Sequence, residues 1–175
     1  YNRFMSQLKV NSIVPVLGVP TGGGGGIIQV KSAHTSSKTT TKLTTYQDIT
    51  GLSLTITPTS SSNKVLIIVN LTFSHTTTSD AGLFSLARIV DGTTFRPSDH
   101  PTVAMTNQLH NGAEVSGLFS HSAHFLDSPN TTDEINYKYQ VKHYSSSFGN
   151  VIIGGRTSDM PQTMNLTALE VSGWV

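Results

Sequence analysis

The stretch Ile135-Asn-Tyr-Lys-Tyr-Gln-Val-Lys142 alternates apolar and polar residues without interruption. Successive side chains of a β-strand point to opposite faces of its sheet. The alternation therefore places Ile135, Tyr137, Tyr139 and Val141 on one face and the polar residues on the other. It predicts a strand with one buried and one wet face, whose two tyrosines pack in a core rather than stack on a sugar.

The same period of two runs from residue 27 onward and is cut at short intervals by turns rich in Gly, Pro, Ser, Asn and Asp. Val65–Val69 is apolar at every position, which predicts a central strand covered on both faces. No helix of ordinary length is predicted, so the chain is expected to form an all-β antiparallel sandwich or jelly roll. Strands are predicted at 27–34, 40–47, 51–58, 64–75, 81–91, 114–126, 134–145, 149–155 and 163–175.

The composition of the 175 residues excludes several classes of protein. Only 12% of residues are charged, about half of what is usual, and the net charge is +1 with no Lys/Arg cluster. A nucleic-acid partner is therefore not expected. Cysteine is absent, which removes disulfides and thiolate metal sites. No apolar run reaches the length of a membrane span, so membrane insertion is not expected.

Three regions of different composition follow one another along the chain. We expect an attachment segment at 1–21, a flexible hinge at 22–26 made of five glycines, and a β head at 27–175. The first segment is too apolar for a solvated tail and too short to fold alone, so it is predicted to lie along another chain. Its attachment residues are Leu8, Val10, Ile13, Val14 and Val16.

The longest stretch without alternation, 92–113, is the predicted place for a ligand because long irregular loops on β scaffolds commonly carry binding. The candidate ligand-binding residues are Arg96, Asp99, His100 and His110, together with Tyr144, which is predicted to be exposed. The alternative is a loop that is ordered only by contacts with neighbouring molecules.

Metal and catalytic sites are not expected. His121 and His124 lie on opposite faces of their predicted strand, so only a threefold axis could gather histidines around an ion. The acidic turn from Asp127 to Glu134 could offer oxygens to calcium, but turn chemistry explains its residues without an ion. No Gly-x-Ser-x-Gly motif or marked carboxylate pair is present, so we expect no enzyme activity and no cofactor.

Several stretches in order resemble fibre-like structural proteins of marine tailed phages of the cyanophage type. They are Leu8–Val16 before the glycine hinge, Asp48–Ile67 with its Thr-Gly-Leu-Ser and Ile-Thr-Pro elements, Phe125–Pro129, Tyr137–Val141 and Thr167–Val171. The resemblance implies a jelly-roll head of the C1q/TNF type that assembles as a homotrimer on the exterior of a virion, at the tail, collar or capsid surface. Residues 1–21 would then bind other virion proteins, and the head would contact a host surface glycan or protein.

The last predicted strand, 163–175, supports assembly because it carries apolar residues on both faces. One face would stay wet in a monomer, whereas sister subunits would bury it. Leu166, Ala168 and Trp174 are the predicted trimer contacts. Two alternatives to host attachment stay open: a capsid decoration or cement protein with a purely architectural role, and a hydrolase acting on surface polysaccharide.

Overall fold

The backbone of the described residues consists of strands and connecting turns. The computed structural model describes residues 26–77, 81–96, 106–109, 117–145, 149–156 and 161–172. No helix in this part of the chain is long and apolar enough to cross a membrane. The strands are β1 (Ile27–Thr35), β2 (Thr39–Thr41), β3 (Gln47–Ile56), β4 (Lys64–His75), β5 (Ala81–Val90), β6 (Thr93–Phe95), β7 (Thr106–Leu109), β8 (Phe119–Asp127), β9 (Ile135–His143), β10 (Val151–Ile153) and β11 (Met164–Val171).

The strands form two antiparallel sheets packed face to face. In the first sheet, β1, β11, β4 and β8 lie side by side. The short strand β10 pairs with β4 on the edge that β11 also uses, and β2 pairs with β10. In the second sheet, β3, β9 and β5 lie side by side, and β6 and β7 pair with β5. Seven of the strands, β1, β3, β4, β5, β8, β9 and β11, thus alternate between the two sheets along the chain. This order confirms the predicted all-β jelly roll.

The core lies between the sheets and is built from the alternation that the sequence predicts. Ile135, Tyr137, Tyr139 and Val141 are all fully buried, as predicted. They face apolar residues of β4 and β11, and the side chains of β3 and β5 complete the same cluster. The buried tyrosines are core residues and are not available to stack on a sugar.

Two predictions about faces are wrong. The outer face of Val65–Val69 carries Leu66 and Ile68, which are only partly buried, because a single chain covers this sheet on one side only. Leu166 and Ala168 are fully buried inside one chain, since their face of β11 points between the sheets. They therefore cannot contact a neighbouring subunit. The exposed apolar side of β11 is the opposite one, which carries Leu169.

Strand bounds differ from the prediction mainly where the chain crosses from sheet to sheet. The predicted strand at 40–47 is only three residues long, and β3 begins at Gln47 rather than at residue 51. The stretch 92–113 contains β6 and β7, which both pair with β5. A tight turn lies at Asp91-Gly92, where both residues have positive φ, 47° and 75°. That geometry suits a two-residue hairpin.

The two ends of the sandwich carry different features. We call one end the Gly26 end, because there the backbone N–H of Ser172 donates to the carbonyl of Gly26. The turns at 57–63 and 128–134 cross between the sheets at this end. At the other end, here the Tyr144 end, lie the connections from β1 to β2 and from β9 to β10. The chain therefore enters the head at the Gly26 end.

A buried carboxylate ties three segments together at the Gly26 end. Glu170 is fully buried on β11, and its two oxygens accept hydrogen bonds from the Gln29 amide, the Asn63 amide and both the backbone N–H and the hydroxyl of Thr59. Burial raises the pKa of Glu170, but these donors outweigh burial and the net pKa lies below its ordinary value. The charged form therefore holds β1 and the turn after β3 against β11.

A buried histidine makes stability depend on pH. His121 stacks on Phe84, with ring centroids 4.4 Å apart, and lies 2.7 Å from the hydroxyl of Tyr139. Burial lowers the pKa of His121 to about 4. A base whose pKa falls on folding keeps its full stabilisation above its unfolded pKa, near 6.5, and loses it as the pH drops towards the folded value.

We expect the free energy of unfolding to fall by roughly 2–3 kcal/mol between pH 7 and pH 4.5 because of His121. Urea titrations at several pH values measure this, with His121→Gln as the comparison and His124→Gln as the control, since His124 is exposed on the same strand. The wild type and His124→Gln should share the pH dependence, and His121→Gln should lose most of it. Parallel pH curves for all three proteins would contradict the assignment.

Candidate functional site

Two of the predicted ligand-binding residues lie in the described part of the chain. Arg96 follows β6, and Tyr144 follows β9 and is 63% exposed. Asp99, His100 and His110 lie outside the described residues, as do the predicted attachment residues of 1–21 and the predicted trimer contact Trp174.

Arg96 contacts an aromatic ring and a strand of the second sheet. Its Nη2 donates to Oε1 of Gln140 over 2.6 Å, and its guanidinium carbon lies 4.9 Å from the centre of the Tyr46 ring. Lys142 Nζ lies 4.6 Å from the same ring. The register that pairs Gln47 with Val141 explains this contact, because it brings the residues just before β3 alongside the end of β9.

The hydrogen bonds continue from Gln140 across the outer face of the second sheet to Asp48 and Lys138. The Gln140 amide donates to Oδ1 of Asp48, and Lys138 Nζ donates to Oδ2, each over 2.7 Å. Burial raises the pKa of Asp48, but the bonds from Gln140 and Lys138 outweigh burial and the net pKa is lowered. Asp48 thus fixes Gln140, which in turn accepts from Arg96.

These residues form a cation–aromatic surface near the Tyr144 end of the second sheet. It consists of Tyr46, Asp48, Arg96, Lys138, Gln140 and Lys142. Guanidinium, ammonium and amide groups around an aromatic ring suit a polar ligand that carries hydroxyls or carboxylates. Sequence reasoning found Arg96 but missed Gln140 and Asp48, since only the strand register brings them to it.

A second surface lies on the outer face of the first sheet. Val30 pairs with Leu169, Leu169 with Leu66, and Leu66 with Leu126, so four apolar side chains form a row across four strands. Val30 is 54% and Leu126 52% exposed, and Ile68 lies next to the row. We call these five residues the apolar strip.

The outer face beyond the apolar strip is polar. The next row holds Ser32, Thr167 and His124 around Ile68 of the strip, and the row after it holds Asn165, Asn70 and Ser122. The hydroxyls of Ser32 and Thr167 lie 3.3 Å apart, and the Asn70 amide donates to Oδ1 of Asn165 over 3.4 Å. The face therefore changes from apolar to polar over these two rows.

The metal hypotheses find no support among the described residues. His121 is buried and His124 exposed on opposite faces of β8, as predicted. Asp127 is bound to Arg88 and to the Tyr137 hydroxyl, so it is not an open calcium ligand. Over the described ranges, no three His, Cys, Asp or Glu side chains are gathered as metal ligands would be.

No protein-family model matches the chain, and no curated protein matches it. Similar solved structures include infectious bursal disease virus of the Gt strain, at a TM-score of 0.46 and 12% identity, over 95% of this chain and 43% of that chain. The VP2 subviral particle of the same virus has a TM-score of 0.46 and 12% identity over 95% and 42%. Eiger TNF from S. frugiperda has a TM-score of 0.46 and 11% identity over 83% and 95%.

The chain spans about two fifths of the length of the two viral proteins that it matches. A likeness at this level of identity and score carries no information on what this chain binds or assembles with. The assignment of the fold rests on the strand order described above.

Proposed function

We propose that the protein is a non-catalytic structural protein of a tailed-phage particle, with no cofactor. In this proposal its jelly-roll head forms a homotrimer on the particle exterior, is attached through residues 1–21 and contacts the host surface. The resemblance of Leu8–Val16 and Asp48–Ile67 to phage fibre-like proteins supports the assignment to a phage and the proposal of three subunits.

The observation that carries the proposal is the apolar strip. A single chain leaves Val30 and Leu126 more than half exposed in a continuous row with Leu66 and Leu169. Burying such a surface between subunits gains about 25 cal/mol per Å². The strip contains no charged side chain, so burying it between subunits carries no free-energy cost for removing a charge from water.

The two ends of the sandwich support a direction for the head. Residues 1–21 join it at the Gly26 end through the glycine hinge, so attachment keeps that end nearest to the particle and leaves the Tyr144 end free to point outward. The cation–aromatic surface with Arg96 lies towards that outer end, beside exposed Tyr144. We therefore propose that host contact uses this surface together with Asp99, His100 and His110.

Deleting residues 1–21 tests the attachment. We expect the truncated head to fold and assemble as the full chain does, because the described core begins only at β1, and to be absent from purified particles. The measurement is copy number per particle by quantitative mass spectrometry, with light scattering for assembly. Incorporation at the normal copy number would show that attachment lies elsewhere.

A further inference from the structure

A pocket of about 270 Å³ opens at the Gly26 end, between the β5–β6 hairpin and the turn from β8 to β9. It is separate from both surfaces described above. Neither the sequence patterns nor the proposed attachment assigns it a role. Its lining residues are Arg88, Val90, Thr93, Phe95, Pro129 and Thr131.

Arg88 gives the pocket fixed hydrogen-bond donors. Its Nη1 donates to both carboxylate oxygens of Asp127, over 2.8 and 2.9 Å, and lies 3.5 Å from the carbonyl of Ser128. Its Nε and Nη2 make no hydrogen bond to the part of the chain that the structure describes. The guanidinium is therefore held rigidly, its charge is matched by Asp127, and two of its nitrogens are available to a ligand.

Phe95 gives the pocket an aromatic wall. The ring is 52% exposed, and the guanidinium carbon of Arg88 lies 4.7 Å from its centre. Arg88 thus lies beside part of one face of the ring, and the exposed part of the ring is left for a ligand. Val90 and Pro129 extend the apolar lining, while the exposed hydroxyl of Thr93 stands at the rim.

We infer that this pocket binds one neutral pyranose unit of a saccharide. The C–H face of a pyranose packs on an aromatic ring, whose face is electron-rich, and its hydroxyls accept from Arg88 and exchange hydrogen bonds with Thr93. The volume lies just under the lower end, about 300 Å³, for drug-sized ligands, which fits a single ring. The inference goes beyond the proposed function and holds wherever the protein is located.

Two other classes of ligand fit less well. A purely apolar side chain in the pocket would cover the free Arg88 nitrogens without offering an acceptor, and leaving a desolvated donor unpaired is unfavourable. A simple anion would meet a guanidinium whose charge Asp127 already balances. Of these three classes of ligand, only a saccharide would use both the Phe95 ring and the Arg88 donors.

The test is saturation-transfer NMR and calorimetry of the full chain with the methyl glycosides of glucose, galactose, mannose and N-acetylglucosamine. We expect at least one to bind with a Kd in the millimolar range, as for a single sugar ring in a small site, about −4 kcal/mol. The ring C–H protons should receive the strongest saturation. Phe95→Ala should weaken binding at least tenfold, and Phe95→Tyr should retain it.

Leu43→Ala is the matched control, because Leu43 is an equally exposed apolar residue located near the Tyr144 end. It should bind the sugar as the wild type does. No binding of any of the four glycosides at about 10 mM overturns the inference. Binding that survives Phe95→Ala also overturns it, and so does Phe95-dependent binding of cyclohexanol or inorganic sulfate without any sugar.

Discussion

Leu126→Asp is expected to convert the assembled protein into folded monomers. Leu126 ends the apolar strip on β8 and is 52% exposed, so one chain loses little when it is replaced. In an assembly, each copy would lose about 1.5–3 kcal/mol of apolar burial and would place a carboxylate in the interface at a further cost. Light scattering at micromolar concentration should show a trimer for the wild type and a monomer for the variant.

The matched control for Leu126→Asp is Ser122→Asp, on the same face of the same strand but in the polar rows. It should leave the mass of the assembly unchanged. Leu166→Asp has a different outcome, because Leu166 is fully buried within one chain and its replacement should prevent folding altogether. A monomeric wild type, or a trimeric Leu126→Asp, would contradict the assignment of the apolar strip as an interface.

Asp127→Ala is expected to lower the free energy of unfolding by about 3–5 kcal/mol. The Asp127 side chain is 4% exposed, and it accepts from Arg88 and, over 2.5 Å, from the Tyr137 hydroxyl. Burial, reinforced by the bond to Asp127, raises the pKa of Tyr137, which keeps this hydroxyl a neutral donor. Removing the carboxylate would leave a guanidinium and a phenol without their acceptor. Urea unfolding at pH 7 measures the loss.

Two further variants separate the ion pair from the turn around it. Asp133→Ala removes an exposed carboxylate from the same turn and should change stability by no more than about 0.5 kcal/mol. Arg88→Met combined with Asp127→Leu and Tyr137→Phe should recover most of the loss, because well-packed apolar residues can replace a buried ion pair and no buried hydroxyl is then left without an acceptor. An Asp127→Ala protein as stable as the wild type would show that Arg88 and Tyr137 find other partners.

The sequence was sufficient where one face of a strand is buried. Tyr137 and Tyr139 lie in the core, as predicted. When only one face of a strand is apolar, that face must be the buried one, so the alternation decides which side chains are inside. It was insufficient for β11, where Leu166 and Leu169 are equally apolar and only the position of the second sheet decides which is inside. Leu166 and Ala168 were therefore predicted as trimer contacts although they lie on the inner face.

The candidate sites depend on contacts between residues far apart in the chain. Arg96 could be singled out from composition, but its partners Tyr46 and Gln140 are 50 and 44 residues away and meet it only through strand pairing. The saccharide pocket likewise joins Phe95 to Pro129 across two turns. Sequence patterns within one segment contain no information on contacts between distant segments, so they predict the strands better than the candidate sites.

The pairing of β1 with β11 delays folding during synthesis on the ribosome. Ile27 pairs with Val171 and Thr35 with Met164, so the nascent β1 emerges long before its neighbour exists. At about 5–20 residues per second, translation of the intervening chain takes on the order of ten seconds. Until then the edge of β1 that pairs with β11 has no partner, nor has the matching edge of β4 once β4 is made. A message cut short before residue 164 would release a chain that cannot close its first sheet.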